Sequence, residues 1–152
     1  MRKYIGIDPD CEKSGVALLE KKKLTLNNFT FFELYEYFII QKDICKFGKN
    51  ELIVIIEGGW LNKSTWHGLN YFLQLIRTPQ KAFVYAAKIG KNTGANHETG
   101  RKIVEMCEYL NLKYEVIKPT KTKVNSEYFC KLTGIKKSNQ EQRDAAMLIL
   151  GR

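Results

Sequence analysis

The sequence predicts a single α/β domain in which helices flank a mixed central β-sheet whose first three strands are antiparallel. Three observations predict it. The chain opens with three short apolar or alternating runs, a continuous aliphatic block follows the first helical pattern, and helical and strand patterns then alternate. A chain of 152 residues can bury one core but is too short for two lobes around a cleft. We therefore expect one domain over residues 1–152.

The three opening runs predict a meander of hairpins. A turn containing Pro9 and Asp10 joins the first two runs, and a bend at Lys21 to Lys23 joins the second to the third. The runs are residues 3–9, 14–20 and 23–29.

The later elements follow from capping and periodicity. Thr30 and Glu33 form the capping box of a first helix that extends to Gly48. The block "ELIVIIE" is typical of a parallel strand buried on both faces. Pro79 marks a break or first turn in the predicted helical stretch 69–90. The remaining expectations are a strand at 51–57, a loop at 58–68, a loop "GKNTGAN" at 90–96, a helix at 96–110, a strand at 113–119, a Lys-rich helix at 121–133 and a terminal helix at 139–150.

The charge balance favours a polyanionic partner. Lys and Arg number 25 against 16 Asp and Glu, which gives a net charge of +9. Nucleic acid is the first candidate and an anionic membrane surface the second. No window approaches 18 consecutive apolar residues, and the N-terminus passes directly into a strand pattern. We therefore expect no membrane association and no signal peptide.

The cysteines indicate a reducing compartment. The four are scattered without CxxC pairing, which is typical of reduced thiols in a cytosolic protein and disfavours disulfides and zinc. No sequence feature suggests a small-molecule cofactor.

Two acids stand at the ends of apolar strands. Asp8 ends the first strand, and Glu57 ends the block at 51–57 just before two glycines. Crevices beyond the carboxyl ends of parallel strands are the usual ligand sites of α/β sheets. Two carboxylates placed together there would repel each other unless a cation lay between them, and Mg²⁺ prefers such oxygen ligands.

Two further acids lie in the predicted terminal helix. Glu141 and Asp144 are three residues apart and share a helix face, while Ala145 and Ala146 permit close packing on the sheet. Four acids from three segments could hold two metal ions, as in two-metal phosphodiester cleavage.

Each acid also has a structural alternative. Asp8 precedes proline and could form a turn, and Glu57 could be a strand-end charge. Glu141 could complete a capping box with Ser138. Asp144, five residues into the helix, has no such capping role.

Beyond this chemistry, the segments "IGIDPDCEKSGVALL", "IVIIEGGW", "HETGRKI", "VIKPTKTKV" and "EQRDAAMLIL" resemble, in order, the motifs of RuvC-type Holliday junction resolvases. The resemblance implies an RNase H-like nuclease domain and a homodimer that makes paired nicks in four-way DNA junctions. It also implies two Mg²⁺ ions per active site, replaceable by Mn²⁺, and the cytoplasm of a bacterium or phage-infected cell. By position, Asp8, Glu57 and Asp144 match the family's acids. Glu141 stands where the family more often has His or Asp, and Asp10 where it usually has Gly.

The resemblance also suggests DNA contacts. Trp60 falls where the family carries an aromatic that wedges into the junction, and Lys123 matches the family's catalytic basic stretch, with Lys121 nearby. A Trp in a Gly-flanked polar loop buries poorly, which favours base stacking over a core role. The expected DNA-binding residues are Trp60, Lys91, Arg101, Lys118, Lys121 and Lys123.

The region before the last helix concentrates positive charge. Residues 118–137 contain six lysines and one acid, either as a solvated face or as a seat for phosphates beside the acids. The "GKNTGANH" stretch could offer amides to a phosphate at a helix start, although it lacks the P-loop lysine pattern. Gly100 would permit close approach of a second backbone, so we expect the 96–110 helix to pack against its two-fold mate.

Three other functions remain open. A nuclease of the same fold could act on other branched DNA or on RNA/DNA hybrids. Actin-like kinases share "IGID" before a hairpin but need two such domains. A non-enzymatic junction-binding protein would keep the lysines and Trp60 without needing four convergent acids.

Overall fold

Five strands form one mixed sheet in the order β3-β2-β1-β4-β5. The computed structural model describes residues 1–62, 74, 78–120 and 122–152. β1 is antiparallel to β2, β2 is antiparallel to β3, and β1, β4 and β5 are parallel. The predicted fold class is confirmed. The strands are β1 (Arg2–Asp8), β2 (Ser14–Glu20), β3 (Lys23–Phe29), β4 (Glu51–Glu57) and β5 (Lys113–Ile117).

The β2–β3 hairpin has a two-residue turn. Lys21 and Lys22 both adopt positive φ, at 48° and 69°. Such a turn matches the right-handed twist of the flanking strands, although Asn-Gly is the usual sequence for it. The predicted bend is confirmed, and the pairing of the strands sets its backbone conformation.

The β1–β4 register brings two acids together. Ile7 lies opposite Ile56 in the parallel ladder, so Asp8 and Glu57 follow one residue beyond on neighbouring strands. Glu57 in turn lies opposite Ile117 of β5. Neighbouring strands are about 4.8 Å apart, which places both carboxyl groups at one edge of the sheet.

The helices within the described residues cover both faces of the sheet. α1 starts at the predicted capping box, in which the Thr30 and Glu33 side chains each bond the other's backbone N–H. A short 3-10 turn over Gly59–Leu61 follows β4, in place of part of the predicted loop. The helices are α1 (Phe31–Phe47), α2 (Pro79–Tyr109), α3 (Ser126–Thr133) and α4 (Gln140–Met147). None of these helices is long and apolar enough to cross a membrane.

Helix α2 overturns one predicted loop. Pro79 occupies its first turn, and the helix then runs unbroken for 31 residues through the "GKNTGAN" stretch. A Cβ on Gly90 or Gly94 would meet no atom within 4 Å from other elements of the described chain, so both glycines are tolerated in an exposed helix at a cost of about 1 kcal/mol each. The predicted helix start for phosphate binding therefore does not exist. The rest of the predicted 69–90 helix lies largely outside the described residues.

The Lys-rich helix is shorter than predicted. α3 begins at Ser126, because the Asn125 side chain accepts a hydrogen bond from the Tyr128 N–H and caps the helix there. Gly134 closes it in the left-handed conformation, as predicted. Residues 122–125 therefore precede the helix, and Lys123 lies outside it.

The alternation of side chains along the strands divides the core into two layers. One layer joins the sheet to α1 and α2 through residues such as Ile7, Phe38 and Ile103, which are fully buried. The other joins the sheet to α3 and α4 through residues such as Ile55 and Phe129.

Two glycines allow α4 to lie directly on the sheet. A Cβ on Gly6 would fall 2.1 Å from the carbonyl oxygen of Ala145, and a Cβ on Gly15 would fall 2.2 Å from that of Glu141. Ala145 and Ala146 are fully buried beneath this contact, as their small size predicted. Because Asp8 shares a face with Gly6, this packing brings α4 over Asp8.

Candidate active site

Three carboxylates converge at the carboxyl edge of the central strands. Asp8 and Glu57 are delivered by the β1–β4 register, and Asp144 by the α4 packing on Gly6 and Gly15. The structure thus brings together the acids that the sequence selected from three distant segments.

The pKa of Asp8 reflects this convergence. Burial raises the pKa of its carboxyl group from 3.8 to about 8, and the charges of Glu57, Asp144 and Glu141 contribute to the raised pKa, while Lys123 opposes them. Asp8 is therefore not simply a turn-forming residue before proline. A buried carboxyl group whose pKa is raised beside other acids is typical of a functional site.

The neighbouring charges also shift the pKa values of Glu57 and Lys123. Burial, followed by the charge of Asp144, raises the pKa of Glu57. Burial alone would lower the pKa of Lys123, but its hydrogen bond to Asp144 and the surrounding carboxylates raise it overall. Lys123 is consequently held as a cation within the acidic cluster.

Both oxygens of Asp144 are engaged. Lys123 Nζ donates to Oδ2 at 2.6 Å, and Gln140 Nε2 donates to Oδ1 at 2.6 Å. The Asp144 side chain is only 10% exposed, whereas that of Lys123 is 65% exposed. Lys123 therefore approaches from solvent while Gln140 holds the carboxylate from the helix.

Glu141 lies beside this cluster and is not a helix cap. The capping box of α4 is formed by Asn139 and Gln142, each bonding the other's backbone N–H at 2.9 and 3.1 Å. The Ser138 hydroxyl is instead near Arg143, which donates to it at 3.4 Å. The proposed Ser138–Glu141 capping box is therefore wrong, and Glu141 faces a polar groove next to Asp8.

Asp10 ties the β1–β2 turn to helix α2. Its Oδ1 accepts from the N–H of Glu12 at 2.8 Å, and its Oδ2 accepts from Asn96 Nδ2 at 3.1 Å. Asn96 Oδ1 in turn accepts from the Cys11 N–H at 3.1 Å. Asp10 is thus a turn residue that also anchors α2, a role for Asn96 that the sequence did not reveal.

A polar groove of about 680 Å³ adjoins the acids. Glu141 forms part of its wall toward Asp8, and the Asp10–Asn96 contact forms another part. Its lining residues are Asp10, Cys11, Glu12, Lys13, Asn28, Asn92, Asn96, Asn139 and Glu141. Of the four predicted metal-binding acids, only Glu141 lines this groove.

Trp60 differs from its predicted environment. Its ring is partly buried and packs against the core beneath α2, where a Cβ on Gly100 would fall 2.4 Å from Cζ3 of the ring. The Arg101 guanidinium lies 5.8 Å from the ring centroid. The expectation that Trp60 buries poorly is wrong, because Gly100 opens a slot for its ring. Gly100 is for the same reason not free for a second helix, which removes the basis for the predicted dimer contact.

The predicted basic residues lie at several places on the surface. Lys118 is exposed directly after β5, at the same sheet edge as Glu57. Lys91 and Arg101 are exposed along α2, and Arg101 also pairs with Glu98 at 3.7 Å. Lys121 lies outside the described residues. Of the described basic residues, Lys123 contacts the acidic cluster directly.

Gln140 and Arg143 are site residues that the sequence analysis missed. Gln140 precedes Asp144 by four residues on α4, a spacing at which Gln and Asp side chains meet on a helix surface. That spacing could have revealed Gln140. For Arg143 the spacing reveals only its contact with Gln140, because its other partners, Val124 and Ser138, lie outside the helices and are brought to it by the fold.

The donor set fits magnesium chemistry, although the acids do not enclose a finished site. Among the residues that the structure describes, no three Asp, Glu, His or Cys side chains form a group able to hold a metal ion. The converging donors are nevertheless carboxylates, which Mg²⁺ prefers. The raised pKa of Asp8 shows that Lys123 alone does not balance their charge. A divalent ion that draws the carboxylates together would do so.

Comparison with known proteins finds similarity among solved structures. No protein-family model and no curated protein matches the sequence. A structure of T. thermophilus RuvC in complex with a Holliday junction substrate matches with a TM-score of 0.48 and 13% identity, covering 97% of this chain and 90% of that one. The strand order and directions of this chain are those of an RNase H-like sheet. The sheet therefore has the strand order and directions that the sequence predicted. The parallel β1–β4 pairing accounts for the meeting of Asp8 and Glu57 at one edge.

Proposed function

We propose that the chain is an RNase H-like nuclease domain that resolves four-way DNA junctions by paired, Mg²⁺-dependent nicks. The observation that carries the proposal is the convergence of Asp8, Glu57 and Asp144 at one edge of the sheet, with Lys123 bound to Asp144. Burial and the neighbouring acids raise the pKa of Asp8 to about 8. A stable domain tolerates such a cluster where charged ligands compensate it.

The acids would hold the metal ions. Asp8, Glu57 and Asp144, with Glu141 at the groove wall, are the proposed ligands of two Mg²⁺ ions, which Mn²⁺ could replace. When bound, the ions supply Lewis acidity for activating water and for stabilising the departing 3′ oxygen. Lys123, held as a cation at the cluster, neutralises negative charge on the phosphate as it builds up.

The basic surface would hold the DNA. Lys118 at the sheet edge and Lys123 at the cluster are placed to bind the phosphates on either side of the cut. Lys91 and Arg101 on α2 and Lys121 complete the proposed backbone contacts. Trp60 would reach bases through the part of its ring that its packing on Gly100 leaves exposed.

The proposed unit is a homodimer in the cytoplasm of a bacterium or an infected host cell. A four-way junction is roughly two-fold symmetric, so two identical sites related by a two-fold axis can cut opposing strands. We therefore expect a dimer to make paired, symmetric nicks.

A synthetic immobile four-way junction tests the activity. We expect symmetric nicks in Mg²⁺ or Mn²⁺ and none in EDTA. Asp8→Asn, Glu57→Gln and Asp144→Asn should each lower the cleavage rate by at least about 10³-fold while junction binding is retained, because each removes a metal-binding carboxylate but little surface.

The matched control is Asp43→Asn, which changes an exposed acid on α1 and should cleave like the wild type. Three-way junctions, flaps and RNA/DNA hybrids assayed in parallel measure selectivity. Faster cleavage of any of these would replace the junction with that substrate. Junction binding without cleavage in any metal would instead indicate a non-catalytic binding protein.

A further inference from the structure

Arg143 is buried beside Gln140, and its side chain joins the stretch before α3 to the start of α4. It is 9% exposed, and its Nε donates to the Val124 carbonyl at 3.0 Å. One terminal nitrogen donates to the Ser138 carbonyl at 2.7 Å, and the other donates to Gln140 Oε1 at 2.8 Å. These acceptors lie next to Lys123, just before α4 and in the first turn of α4.

The contact with Arg143 fixes the orientation of the Gln140 amide. An arginine can only donate and an ionised carboxylate can only accept. The Gln140 oxygen must therefore face Arg143, and its nitrogen must face Asp144, as the 2.8 and 2.6 Å contacts show. If the amide were reversed, its nitrogen would face the Arg143 donor and its oxygen would face the Asp144 carboxylate.

The same guanidinium also anchors the segment that carries Lys123. Val124, whose carbonyl accepts from Arg143, directly follows Lys123 in the stretch before α3. Both partners of Asp144, the Gln140 amide on Oδ1 and the Lys123 ammonium on Oδ2, are thus held through one buried side chain.

We propose that Gln140, oriented by Arg143, is a positioning residue that holds Oδ1 of Asp144 and presents Oδ2 to the metal and Lys123. Residues that orient a ligand typically contribute 10-fold to 100-fold to metal affinity or activity. The inference rests on the proposed function, because it assigns Asp144 as a ligand.

Gln140→Met tests this role because methionine has a similar length but neither donates to Asp144 nor accepts from Arg143 at an amide. We expect about tenfold or greater weakening of Mn²⁺ binding by calorimetry, with a matching fall in kcat and unchanged junction affinity in EDTA. The melting temperature should fall modestly, because Arg143 loses one acceptor and Asp144 one donor, so binding and kcat are compared well below the unfolding transition. Gln80→Met, at an exposed position in the first turn of α2, is the matched control and should change none of these.

A double-mutant cycle tests whether Gln140 acts through Asp144. In the Asp144→Asn background, adding Gln140→Met should change Mn²⁺ affinity less than about twofold. An equal loss in both backgrounds, or unchanged binding and kcat in the single variant, would overturn the inference.

Crystal structures separate this inference from the proposed function. If the wild type neither cleaves nor binds Mn²⁺, the proposed function fails and the metal role fails with it. The hydrogen-bond chain itself is tested by the Asp144 carboxylate, which should rotate in Gln140→Met. An unmoved carboxylate would refute positioning even in an active nuclease. Arg143→Lys should displace the Gln140 amide in the same way, because a lysine ammonium lacks the planar fork of N–H donors that binds Val124, Ser138 and Gln140.

Discussion

Asp8 combines a strand-end position with a carboxyl pKa raised to about 8 by burial and neighbouring acids. The folded protein therefore binds a proton that the unfolded chain has released above about pH 4. When the pKa of an acid is raised by folding, its bound proton stabilises the folded state. This contribution is complete below the pKa of the unfolded chain and is lost as the pH rises toward the pKa of the folded protein. Without metal, stability should fall between about pH 4 and pH 8.

Asp8→Asn should weaken this dependence, and Glu57, whose pKa is also raised, should preserve part of it. In EDTA at pH 8 we expect the variant to be more stable than the wild type by on the order of 2 kcal/mol, and about equally stable at pH 4. Urea unfolding at the two pH values measures the difference. Asp43→Asn is again the control, since it changes an exposed acid. Equal effects of Asp8→Asn at both pH values would show that Asp8 does not titrate in this range.

At the scale of elements, α2 contains glycines with opposite roles. Gly100 lies against the Trp60 ring and Pro9, while a Cβ on Gly94 would meet no atom within 4 Å from the other elements that the structure describes. Both occupy the interior of one helix, so their intrinsic helix propensity is the same. Their difference comes from tertiary packing alone.

Alanine at these positions should therefore have effects of opposite sign. Gly100→Ala should destabilise the protein by about 1 to 3 kcal/mol, because its methyl group would displace the Trp60 ring. Gly94→Ala should stabilise it by about 0.5 to 1 kcal/mol through lower chain entropy. Chemical denaturation with tryptophan fluorescence measures both effects. A stabilising Gly100→Ala would contradict the packing of Trp60 in this slot.

At the scale of the whole molecule, the net charge of +9 coexists with an acidic cluster at one sheet edge. Lys118 and Lys123 lie at that edge, while the β2–β3 turn with Lys21 lies at the opposite one, since β2 runs antiparallel to β1. DNA that binds at the acids should therefore involve Lys118 and not Lys21.

Salt dependence distinguishes these lysines. Lys118→Gln should lower the slope of log affinity against log salt by about 1, because one fewer phosphate is neutralised. Fluorescence anisotropy with a four-way junction in EDTA, between about 50 and 200 mM salt, gives the slope. Lys21→Gln should leave it unchanged. A larger effect of Lys21→Gln would place the DNA on the other edge of the sheet.

The sequence by itself determined the strands, the caps of α1 and the acids at the strand ends. These features are local, since two-residue alternation, a capping box and a carboxylate that interrupts an apolar run act within a few residues. The sequence also predicted that Asp8 and Glu57 meet, because the parallel strands of one sheet end at the same edge.

Only the tertiary structure decided the rest. The glycines of α2 read locally as a loop, yet the helix continues through them, and Gly100 receives Trp60 instead of a second helix. The capping of α4 by Asn139 and the orientation of Gln140 by Arg143 depend on where residues 124 and 138 come to lie. Contacts between segments far apart in the chain leave no periodic signal in a single sequence, so the fold had to bring them together before they could be recognised.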